Sequence, residues 1–228
     1  MSELFNRTNQ LLKPIFDRGW QTLVVTLVGC EFFHQYFLYL LQLQEPGMSI
    51  AKLPSVIGDM STSLLEFVVL TMLIPQCVLE IDRGQQPGSF WAFTQRHIQA
   101  LTIESLRSLG VALIWFLLLI VPGVIKYIRY LFVPYIVVAD PDYEAGRVDA
   151  LNESERLSKG FFWPLLVIIL IMMTGEYYQQ SLREAHPFLS NPVLSMLATL
   201  GFFAFNYYSN VWLFVLYQYR AKKLPKSA

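Results

Sequence analysis

Residues 121–160 read VPGVIKYIRYLFVPYIVVADPDYEAGRVDALNESERLSKG. Pro122 and Gly123 break an apolar run, and a second apolar run follows that carries Lys126 and Arg129 and meets Pro134. At Asp140 the chain passes into a charged stretch that closes on Lys159 and Gly160. An ionisable side chain is costly in hydrocarbon, so two cations spaced i, i+3 on an apolar helix mark a candidate functional site.

The rest of the chain supports a membrane setting for this segment. Of 228 residues, 54% are hydrophobic and 15% charged, with a mean hydropathy of +0.43, more apolar than an ordinary soluble domain. That length suits one compact bundle and leaves no room for a separate catalytic domain of usual size. Windows of about 17–25 apolar residues are long enough to cross a bilayer as helices. The chain offers six, at 20–41, 63–81, 106–121, 124–139, 161–178 and 192–219. The fold expected is all-α, a polytopic membrane helical bundle of about six spans forming a single integral membrane domain. Short alternating strands of the barrel type are missing from the sequence.

Orientation follows from the cations. Thirteen of the seventeen Lys and Arg residues fall at the ends of these spans on one side, among them Arg7, Arg96, Arg107, Arg156 and Arg220. Lys52 and Arg183 fall on the other side, and Lys126 and Arg129 lie inside the fourth span. The positive-inside rule then makes both termini cytoplasmic. The apolar run near Trp20 lacks a small-residue cleavage site and reads as an uncleaved first span, and Ser2 and the Cys-free C-terminus offer no lipidation motif.

Two connecting segments read as helices lying outside the spans. Residues 90–105, with Phe90, Trp91, Phe93 and His97, mix aromatic and polar character as an interfacial helix does. Residues 142–159 form an amphipathic pattern with Val148, Ala150, Leu151 and Leu157 on the apolar side. Asp149, Glu153, Glu155 and Arg156 lie on the wet side, and Gly160 is placed to stop the helix.

Counting each intramembrane charge from its nearest span end puts Glu66, Lys126, Arg129 and Glu176 in the outer half of the bundle. Glu31 lies near mid-depth, with His34 on the same face. Lys126 and Arg129 suit a phosphate or another anionic headgroup. Glu31, Glu66 and Glu176 are expected as their charge partners, and Glu31 with His34 offers a proton-coupling pair. Asn206 and Asn210, spaced i, i+4, would line the same cavity or bond neighbouring helices.

Catalytic and cofactor patterns are missing from the sequence. It contains no G-x-S-x-G elbow, P-loop, H-E-x-x-H or C-x-x-C, so no enzyme activity and no cofactor are expected. His34, His97 and His186 are scattered, and Cys30 and Cys77 lie in separate apolar runs, so neither a metal site nor a disulfide is expected. The basic tail is explained by topology, and no nucleic-acid partner is expected.

Val121 to Gly123, Tyr127 to Tyr130, Asp140, and Ala150, Ser154, Leu157, Lys159 and Gly160 together resemble YciC-like bacterial inner-membrane proteins. The same pattern is similar to the membrane domain that accompanies glycerophosphodiester phosphodiesterases. The resemblance covers about a fifth of the chain. It implies a six-span protein of the bacterial inner membrane with envelope or lipid-related roles, and it supplies no active site.

The function expected first is therefore non-enzymatic envelope lipid handling, with an outward-facing polar cavity that binds an anionic amphiphile. Membrane lipids are the expected partners. A membrane scaffold for a periplasmic or cytoplasmic protein is the alternative, and a small proton-coupled transporter is the third reading.

Overall fold

A computed structural model describes residues 2–42, 53–185 and 192–224, and the described residues are helices joined by short turns. In chain order they are α1 (Ser2–Gln42), α2 (Leu53–Asp82), α3 (Phe90–Leu118), α4 (Ile120–Arg129), α5 (Val133–Ala139), α6 (Pro141–Glu144), α7 (Ala150–Ser158), α8 (Phe162–Ala185) and α9 (Pro192–Lys223). By length and composition α2, α3 and the stretch Ile120–Ala139 are each able to cross a membrane. The bent pair α7 and α8 makes a fourth if it is taken as one broken span. The expected windows at 20–41 and 192–219 lie within α1 and α9.

Leu4, Thr8, Leu11, Ile15, Gly19, Leu23, Thr26 and Cys30 recur at three- and four-residue steps, mark one face of α1, and are all buried. That face pairs with α2, and Arg7 closes the pair by donating to Asp82. Tyr207 of α9 joins them by donating to the Leu12 carbonyl at 2.7 Å. A fully buried core forms where the C-terminal halves of α2 and α9 meet α5 and α7. Met72, Ile74, Val78, Phe132, Ile136, Leu157 and Phe214 are fully buried there. Around it Tyr135, Phe214 and Tyr217 stack in tilted and edge-on pairs, with ring centroids 5.5–6.2 Å apart.

Three expectations about the central segment change. Residues 90–105 and 106–118 are one continuous helix, α3, so the expected interfacial helix and third span are a single rod. The chain reverses at Leu119, in extended backbone, earlier than the Pro-Gly pair. Pro122 then sits in the first turn of α4, where a missing N–H costs nothing. Gly123 serves as a packing point: a β-carbon there would lie 2.5 Å from the Phe116 ring and 2.8 Å from its Cα.

Pro134 does interrupt the fourth apolar run, as expected of a proline within a helix. It has no N–H for the Tyr130 carbonyl, which takes the Val133 amide at 3.0 Å instead. The Arg129 carbonyl, Val133's usual acceptor, is thereby released from the helix. The amphipathic helix expected at 142–159 is likewise divided into α6 and α7, with Gly146 at φ 68° between them. Ala150, Leu151 and Leu157 are buried as expected, but so is Glu153, which the pattern put in water and which is held by Arg156. Gly160 ends the segment at φ 79°, a left-handed conformation that glycine adopts without strain.

Candidate functional site

The charged site is built where α7 crosses α4. Asp149 caps the N-terminus of α7, accepting from the Asn152 amide at 3.0 Å, and it also receives Arg107 of α3 at 2.5 Å. Burial alone would raise the Asp149 carboxyl, but the amide and the guanidinium outweigh it and hold the group below its ordinary value. Arg96 with Glu144, and Glu104 with Tyr143 at 3.4 Å, add two further ties between α3 and the α6 region. The connection between α5 and α7 is therefore strapped along the first two-thirds of α3.

With α7 placed in this way, Ser154 donates to the released Arg129 carbonyl at 2.6 Å. One residue on, the Glu155 carboxylate takes Lys126, accepts from the Tyr130 hydroxyl at 2.9 Å, and lies 3.8 Å from the Arg129 guanidinium. Two cations thus share one carboxylate. The Arg129 side chain is 47% exposed and its contact with Glu155 is the longer of the two. Among the described residues the cluster carries a net positive charge, with one guanidinium accessible from outside.

The far end of α7 is closed by α9. Arg220 is 8% exposed. Its Nε donates to the Leu157 carbonyl at 2.8 Å and its Nη2 to the Lys159 carbonyl at 2.6 Å. Its guanidinium lies over the Phe161 ring at 4.4 Å. A helix end leaves its last carbonyls without intrahelical donors. Arg220 supplies one of them, and the chain turns by 102° from α7 into α8.

Lys126 and Arg129 do come together, as their spacing implies, but the carboxylate they meet is Glu155, which the sequence pattern assigned to the wet face of a separate helix. Glu66 instead accepts from Asn206 at 3.5 Å, a contact between α2 and α9. Asn210 donates to the Asn206 carbonyl at 2.9 Å and accepts from Tyr135 at 3.4 Å, so it bonds α9 to α5. The side chains of Glu31, His34 and Glu176 lie outside the described residues. His97 Nδ1 is 2.8 Å from the Phe93 carbonyl of its own helix, with its ring against Phe93.

Sequence reasoning missed Ser154, Glu155, Tyr130 and Arg220 as site residues. Pro134 was the available signal, because a proline inside a span announces a carbonyl in need of a donor. An apolar groove of about 470 Å³ also runs between α1 and α2, lined by Val25, Gly29, Phe33 and Leu65 among others, and no acid or base of the charged site borders it. Compared with family models, with curated proteins and with solved structures, the chain finds no match.

Proposed function

We propose that this is a non-enzymatic, multi-pass protein of the bacterial inner membrane, with both termini cytoplasmic, that handles envelope lipids by holding an anionic amphiphile at Lys126 and Arg129. One observation carries the reading. Among the described residues the two cations share one carboxylate, that of Glu155, and the Arg129 guanidinium stays half-exposed beside a stretch, residues 108–125, that holds no ionisable residue. A phosphate or carboxylate headgroup would supply the missing negative charge, and a guanidinium offers it a planar pair of donors. The same lipid's chains would lie against the exposed aliphatic face of α3 and α4.

Native mass spectrometry after extraction from mixed phosphatidylglycerol and phosphatidylcholine bilayers tests this. Wild type should retain phosphatidylglycerol preferentially, and the Lys126→Ala, Arg129→Ala double variant should lose that preference while keeping its fold. Equal retention by the folded double variant would remove the headgroup role and favour a scaffold, in which these charges only clasp α7 to α4.

A further inference from the structure

The hairpin made by α3 and α4 ends in an exposed aliphatic surface. Leu117 is 88% exposed, and Leu118, Leu119, Ile120 and Val121 are each exposed by more than half. No ionisable residue lies between Arg107 and Lys126. The charges that flank this stretch form a belt: Glu104 and Arg107 on α3, Lys126 and Arg129 on α4, and Asp149 and Glu155 brought to them by α7. At 1.5 Å per residue Leu119 stands about 18 Å beyond Arg107 along α3, and about 15 Å beyond Arg129 and about 10 Å beyond Lys126 along α4, close enough for the lysine to reach outward to the headgroups. A whole hydrocarbon layer is about 30 Å thick, so one leaflet is about 15 Å.

A hairpin crossing both leaflets would push a run of bare aliphatic side chains into water and leave the charged belt in hydrocarbon. We infer that α3 and α4 instead form a re-entrant hairpin that enters one leaflet from the cytoplasmic side, with Leu117 to Val121 near the bilayer midplane and the belt at the headgroups. The turn closes part of its own backbone, although no side chain caps the Ile120 and Val121 amides at the start of α4. The Leu119 amide donates to the Trp115 carbonyl at 2.8 Å, the Gly123 amide to the Leu119 carbonyl at 3.2 Å, and Pro122 has no N–H to satisfy. The sharp bend before α8 lets α7 lie across the base of the hairpin.

The placement also improves the charge asymmetry. Removing the windows 106–121 and 124–139 as crossings takes away two passes, so both termini keep the same side. Lys126 and Arg129 then join the cytoplasmic cations, making fifteen of seventeen. The inference goes beyond the headgroup reading and does not require it, since depth is measured equally well in zwitterionic lipid.

Single cysteines placed at Leu119 and, as a control, at Gln86 in the exposed turn after α2, in a Cys30→Ser, Cys77→Ser background, test the hairpin. In sealed vesicles of either orientation with phosphatidylcholine bilayers, a membrane-impermeant maleimide should label position 86 from the cytoplasmic side and position 119 from neither. A nitroxide on position 119 should show high oxygen and low nickel-chelate accessibility, reporting a depth near the midplane. Labelling of position 119 from the side opposite position 86, or a nitroxide depth at the far headgroups, would overturn the inference. A nitroxide shielded from both relaxants would also overturn it, because the tip would then be buried in protein.

Discussion

Replacing Arg220 by alanine should unfasten α7 without touching the charges that α7 brings to α4. The last carbonyls of α7 have a complete set of donors. Lys159 N–H and the Ser158 hydroxyl serve Glu155, Lys159 N–H is shared with Arg156, Arg220 serves Leu157, and Phe161 N–H serves Ser158. Arg220 alone holds the Leu157 carbonyl, and it also spans to Lys159 across the bend. Hydrogen bonds from a charged donor contribute about 1.5–3 kcal/mol each. The contact with Phe161 adds roughly 0.5–2 kcal/mol, and relief from burying a guanidinium offsets part of the total. A net loss of about 3 kcal/mol corresponds to a roughly 150-fold larger opening equilibrium for α7. Hydrogen exchange of amides 150–160 in the purified protein reads this directly. Arg220→Lys, which keeps the charge but not the fork, should fall between wild type and Arg220→Ala. Exchange of this segment unchanged in a folded Arg220→Ala protein would show that the bend is held by something else.

Gly123→Val forces a side chain into Phe116 and should cost about 1–3 kcal/mol or more, lowering the melting temperature in detergent. Gly110→Ala on the same hairpin, where nothing lies within 4 Å, should be neutral or stabilising. Ser154→Ala leaves the Arg129 carbonyl without its donor and should cost about 1–3 kcal/mol, seen as faster exchange around residues 129–133. Asp149 is held below its ordinary value, so its contribution is present above a pH of about 4 and is lost as pH falls through its lowered folded-state value. Thermal stability should therefore be flat in this respect between about pH 5 and 8 and fall in acid, and Asp149→Asn should shrink the acid-dependent part of the loss. Glu155→Gln removes the charge that Lys126 and Arg129 share and should raise phosphatidylglycerol retention over wild type, while unchanged or lower retention would count against the headgroup reading.

Hydropathy located the helices better than it located their surroundings. The stretches containing Met72 and Ile136 are apolar enough to cross a membrane, yet these residues are enclosed by other helices. Leu113 and Leu117, of the same character, are exposed. Transfer from water favours both environments alike, so residue type alone cannot separate a lipid-facing surface from a protein core. Gly160 was legible because a helix stop needs a local residue type. Glu155 and Arg220 were not, because their partners lie 29 residues away at Lys126 and 63 residues away at Leu157. Pro134 announced a break in the helix, but which side chain would meet the released carbonyl depended on the path of α6 and α7 along α3.

A helix of nine residues is too short to persist on its own, so the position of α7 is a property of its fastenings. Asp149 and Arg107 fix its start, Ser154 and Glu155 its middle, and Arg220 its end. The middle fastening uses the same cations that a lipid headgroup would use. A headgroup bound at Arg129 would compete with Glu155, and by thermodynamic reciprocity it would weaken the Glu155 clasp by the same factor that the clasp weakens headgroup binding. The fastenings at the two ends do not share those cations. If a headgroup binds as proposed, the ends of α7 would stay anchored while its centre exchanged one negative partner for another, and the packed core beneath would sense the exchange through this short helix.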